Sequence, residues 1–101
     1  MLSRKKIQTK IDSLYDERTA ITDDVKRFVN VEEIGILEFI VGDGAPMTGK
    51  KLKPPKNNEG IDILIAELKK DIADQISADP FGDNGEGYKA MIKLCEWAKG
   101  E

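Results

Sequence analysis

Between Met1 and Val29 the chain has neither glycine nor proline, and within that run Ile7, Ile11, Leu14, Arg18, Ile21, Val25 and Phe28 recur at alternating spacings of four and three. Such spacings bring side chains onto one stripe of a helix, and their alternation is the period of a supercoiled seam. Six of the seven positions are apolar, so the pattern predicts a helix over residues 4–29 that packs by this stripe. A helix of that length would be about 39 Å long, whereas a compact domain of this size has a radius of gyration of roughly 13 Å. Either a second copy covers the overhang, or the helix breaks near Thr22-Asp23-Asp24, where an aspartate can cap a new helix. The stripe crosses that point in register, which favours the unbroken helix and a homo-oligomer formed through it. Arg18 interrupts the stripe and has two readings: it snorkels to the edge, or it sets register by pairing with an acid across an interface.

Asn30-Val31-Glu32-Glu33 reads as an N-cap with a carboxylate in the first turn. It opens a short, nearly all-round apolar helix through Val41, closed by Gly42. Gly35 and the β propensity of Ile34, Ile36 and Phe39 leave a buried strand over residues 34–41 as the alternative. Residues 43–58 hold three of the four prolines together with Lys50, Lys51, Lys53 and Lys56, which predicts a long basic loop, flexible or functional. Asn58 can cap a third helix to about Ser77 that buries Ile61, Leu64, Ile65, Leu68, Ile72 and Ile76 on one face. Asp79-Pro80 and Gly82 break it, and Asp83-Asn84-Gly85-Glu86 offers a capping box for a last helix ending at Gly100. In that helix Tyr88, Met91, Ile92 and Cys95 share a side, while Leu94 and Trp97 extend the apolar surface toward a partner. The expected fold is a single all-α domain over residues 1–101: a long N-terminal helix, a short apolar helix and two amphipathic helices folded back as a small bundle.

The residue inventory removes most catalytic chemistry. There is no histidine and one cysteine, Cys95, so nucleophile-histidine pairs, the usual zinc sites and an intrachain disulfide cannot be built within one chain. Neighbouring acids such as Asp23-Asp24 and Glu32-Glu33 sit where helix caps and first turns already account for them. In Asp79-Pro80-Phe81-Gly82-Asp83, Phe81 stands where a calcium loop needs an oxygen ligand. The run from Gly44 to Lys51 approaches a phosphate-binding loop, but Lys51 replaces the hydroxyl that would hold magnesium, and Pro54-Pro55 forbids the helix that should follow. No catalytic residue, metal site or cofactor is expected. Met-Leu-Ser-Arg-Lys-Lys lacks the apolar run of a secretory signal, and with one cysteine it points to a reducing, cytoplasmic setting. The apolar stretch Ile34 to Gly42 is far shorter than the roughly 20 residues that span a bilayer, so no membrane role is expected.

What remains is binding. The net charge of −3 conceals an uneven distribution, with seven Lys and Arg against five acids in residues 1–30 and five Lys against nine acids in residues 61–101. Arg4, Lys5, Lys6 and Lys10 oppose the dipole at the start of the first helix, a local cost that either a bound anion or Asp12, Asp16 and Glu17 of the same helix would offset. With Lys50, Lys51, Lys53 and Lys56 they make two candidate anion sites, neither interleaved with aromatics for base stacking. The stretch Asn84-Gly85-Glu86-Gly87 through Trp97 resembles the closing helix of colicin-type immunity proteins, without that family's acidic Tyr-Tyr turn, so no residue role carries over. The expected function is a non-enzymatic protein-interaction or regulatory module, such as an adaptor, inhibitor or assembly component. It would self-associate through Ile7, Ile11, Leu14, Arg18, Ile21, Val25 and Phe28 and present Leu94 and Trp97 to a protein partner. The alternative is a binder of nucleic acid or another phosphate-bearing ligand through the two lysine clusters.

Overall fold

The computed structural model describes residues 1–42, 53–77 and 85–100, with the backbone alone for residues 72–77. Four helices follow in chain order: α1, Arg4–Arg18; α2, Asp24–Ile40; α3, Asn58–Ser77; and α4, Glu86–Ala98. No strand occurs among the described residues, so the fold is the expected all-α bundle and residues 34–40 are helical.

The unbroken helix expected over residues 4–29 does not form. The chain turns between Arg18 and Asp24, and local chemistry satisfies the backbone there. Asp23 accepts the Lys26 amide at 2.9 Å as the N-cap of α2, and the Ala20 amide donates to the Glu17 carbonyl at 3.0 Å. Arg27 Nε donates to the Ile21 carbonyl at 3.0 Å, tying the turn to the new helix. Packing supplies the larger reason. A folded-back α1 buries Ile7, Ile11 and Leu14 in the chain's own core, where each side chain contributes about 1.5–3 kcal/mol. The described chain measures 33 × 31 × 24 Å with a radius of gyration of 13.1 Å, and a straight helix of about 39 Å would overhang it.

The break displaces a second expected boundary. With Asp23 as the cap, Asn30 lies inside α2 and is buried, only 2% exposed. Its Nδ2 donates to the Leu14 carbonyl of α1 at 3.0 Å, and its Oδ1 has no partner among the described residues. Beyond it, Ile34, Ile36, Leu37, Phe39 and Ile40 are all buried, because α2 packs against α1 on one flank and α4 on the other. Burying five large side chains outweighs the cost of about 1 kcal/mol that Gly35 imposes on a helix.

Asn57, one residue earlier than expected, caps α3, its Oδ1 accepting the Gly60 amide at 3.0 Å. Ile61, Leu64, Ile65 and Leu68 of α3 face Met91, Leu94, Cys95 and Ala98 of α4 across the core. The side chains of Ile72 and Ile76, and the expected breaks and capping residues Asp79 to Asn84, lie outside the described residues. The C-terminal pair docks on the chain through α4 and α2, rather than on α1 as expected. Lys99 Nζ lies 2.8 Å from Asp62 Oδ1, and the Leu2 amide donates to the Ala98 carbonyl at 2.7 Å. These contacts gather the starts of α1 and α3 and the end of α4 at one end of the bundle. No helix among the described residues is long and apolar enough to cross a membrane.

Gly35 is exposed and has nothing within 4 Å of the position a Cβ would take. Gly35→Ala is therefore expected to raise unfolding stability by about 0.5–1 kcal/mol in urea titrations. Asn30→Ala removes a buried side-chain bond from α2 to the α1 backbone and is expected to cost about 1–3 kcal/mol by the same measurement.

Candidate functional site

Ser3 caps α1 by accepting the Lys6 amide at 3.2 Å, and with Leu2 held to Ala98 it fixes the direction in which the first turn projects. That turn carries Arg4, Lys5 and Lys6 and no acid, and the first acid of α1 is Asp12, about 12 Å further along the axis. α2 ends beside it, with Gly42 at φ 83° in the left-handed region that glycine reaches without strain. The third wall is the segment Lys53-Pro54-Pro55-Lys56 that leads into α3.

Gly60 explains how that wall is held. A Cβ there would lie 3.0 Å from Pro55 Cβ and 3.1 Å from Pro55 Cα, so any side chain would push the first turn of α3 and the buried Pro55 apart by a few tenths of an ångström. Pro55 in turn fixes the path of Lys53 and Lys56, both exposed.

Together the three walls enclose an open cavity of about 390 Å³. Its lining includes the basic residues Arg4, Lys53 and Lys56 and the apolar residues Met1, Ile7, Ile40, Val41, Pro54 and Pro55. Among the described residues, no acidic side chain lines it. Arg4 also interacts within the chain. The cavity thus combines cations with apolar surface, an arrangement suited to a ligand that must be oriented by charge and held by contact.

The expected site residues separate as follows. Arg4, Lys53 and Lys56, drawn from two clusters nearly fifty residues apart, meet at the cavity. Lys5 and Lys6 are exposed on the adjoining turn, and Lys10 is half-buried further along α1 near Glu33. Lys50 and Lys51 lie outside the described residues. The seven-residue seam is divided between helices: Ile7, Ile11 and Leu14 are core, Arg18 is exposed, and Ile21, Val25 and Phe28 are half-buried. Leu94, expected at a partner surface, is 8% exposed because it packs into the core, whereas Trp97 stays 37% exposed. Ile40, Val41, Pro54, Pro55 and Gly60 were not expected at a site. The double proline is the available signal, and by sequence alone it marks only a helix break.

Two other features bear on chemistry. Cys95 is fully buried, and desolvation, assisted by the charge of Glu96, pushes its thiol up to about 12, so it holds its proton as a core residue. On the α1–α2 face Tyr15 Oη donates to Glu38 Oε1 at 3.2 Å. Nearby, burial raises the Glu33 carboxyl above its ordinary value, with Lys10 opposing the shift and Glu17 adding to it. Compared with protein-family models, curated proteins and solved structures, the chain matches none.

The Glu33 shift has a definite sign. The folded chain keeps a proton that the unfolded chain releases near 4.5, so its contribution is fully present below that pH and is lost as pH rises through the raised value. Glu33→Gln is therefore expected to raise the urea midpoint at neutral pH, with the gain shrinking toward zero as pH falls below 4.5.

Proposed function

We propose that this chain is a non-enzymatic binding module that receives a phosphate-bearing ligand at the basic end of the bundle. The observation that carries this reading is the convergence of Arg4, Lys53 and Lys56 on one cavity with no acid among the described residues of its lining. On a chain of net charge −3, three basic residues around one cavity are a local feature that the overall composition does not explain. The seam reading loses support because Ile7, Ile11 and Leu14 are already occupied in the core, and so does the Leu94 half of the expected partner surface.

A protein partner is the second reading, and one observation favours it. Trp97 remains exposed on α4, and exposed tryptophans are enriched at binding hot spots. A regulatory or adaptor role would then use Trp97 as its anchor, with Trp97→Ala leaving helicity unchanged.

Heteronuclear NMR titration with inorganic pyrophosphate at low salt tests the first reading. Saturable shifts are expected at Arg4, Lys53 and Lys56, weakening as salt is raised past about 0.15 M. Lys53→Gln and Lys56→Gln should each weaken binding about three- to tenfold, in line with the loss of one charge-assisted contact, while Lys69→Gln on α3 should not. Absence of saturable shifts at the cavity, or equal losses for Lys69→Gln, would remove the reading.

A further inference from the structure

We infer that the ligand of this cavity is an anionic amphiphile, a single phosphate headgroup carried on a short apolar chain. This inference rests on the proposed function and specifies the ligand. Its basis is the imbalance of the lining. Three residues supply cations, while Met1, Ile7, Ile40, Val41, Pro54 and Pro55 supply apolar surface. Ile7, Ile40 and Pro55 are already buried, and free phosphate would satisfy the cations while leaving the accessible part of that surface, on Met1, Val41 and Pro54, in water. Val41 is half-buried, and Met1 and Pro54 are exposed.

Size and shape separate this ligand from a polymer. A volume of about 390 Å³ falls at the lower end of the range for small-molecule pockets, roughly 300–1,000 Å³. A nucleic acid strand is recognised by an extended basic track with aromatic platforms, and among the described residues no Phe, Tyr or Trp lines this cavity. The walls are also built to hold their positions. Proline has a fixed φ, Pro55 is buried against Gly60, and α2 presents Ile40 and Val41 from a helix end closed by Gly42. A preformed apolar wall binds a chain without first having to order itself. The geometry therefore places the headgroup among Arg4, Lys53 and Lys56 and the chain against Val41 and the two prolines.

The test is a series of ligands on the intact protein: inorganic phosphate, then methyl, butyl, hexyl and octyl phosphate below their aggregation limits. Octanol serves as the uncharged control. Binding is read by heteronuclear NMR shifts at the cavity residues and by the fluorescence of Trp97, the single tryptophan. Affinity is expected to rise about fourfold per methylene, as each enters apolar surroundings, and to level off when the cavity is filled. Val41→Ser should flatten that rise, and Lys53→Gln should lower the whole series in parallel. Retained helicity in both variants would confirm that folding is not the cause.

Each remaining outcome counts against the inference. Equal affinity along the series would overturn it while leaving the phosphate reading intact, and no binding by any member would remove both. Tighter binding of a single-stranded oligonucleotide than of octyl phosphate would assign the cavity to nucleic acid. Binding only to phosphatidic acid vesicles, with none to the free phosphates, would assign it to a membrane surface.

Discussion

The second half of α2 is the element on which the rest of the chain depends. Ile34, Ile36, Leu37, Phe39 and Ile40 point to several sides of one helix, and no single neighbour can remove all of them from water. Two neighbours are needed. α1 supplies one by folding back through the turn at residues 19–23, and α4 supplies the other, bringing α3 with it. The architecture follows from a helix that is apolar nearly all round in a chain with one hydrophobic core to build.

From that packing comes the position of every feature discussed as a site. Folding α1 back carries its acid-free first turn to the end of α2, and the Leu2 and Asp62–Lys99 contacts close the same end of the bundle. Cations separated widely in sequence then share one opening. The same fold takes Ile7, Ile11 and Leu14 out of circulation as an intermolecular seam, and it draws Leu94 inward while leaving Trp97 outside. The proposed ligand role and the weakened self-association reading are therefore two consequences of a single packing choice.

Much of this was legible along the chain. Ile61, Leu64, Ile65 and Leu68 have a one-sided period that gives α3 its buried face, and Gly42 and Gly100 stand at the helix ends as expected, at φ 83° and 82°. The break after Arg18 was visible as Thr22-Asp23-Asp24 but lost to the unbroken stripe. Period reports which residues share a face; it does not report whether the covering surface belongs to the same molecule. Asn30 was misplaced for the same reason, since a residue with good capping chemistry is also one that can be buried with a single bond to a neighbouring helix. Of the cavity, Arg4, Lys53 and Lys56 were legible as charge clusters. Their convergence, and the role of Pro55 against Gly60, depend on contacts between distant segments that spacing cannot encode.

The central claim is that α1 folds back on the α2 of its own chain. Isotope-filtered NOE spectroscopy on an equal mixture of labelled and unlabelled protein tests it most directly, using the Asn30 side-chain amide that lies against Leu14. The account predicts that contacts from Asn30 to Leu14 arise only within one molecule. The same contacts between labelled and unlabelled chains, or none at all, would show that α1 packs elsewhere and would contradict the fold on which the cavity rests.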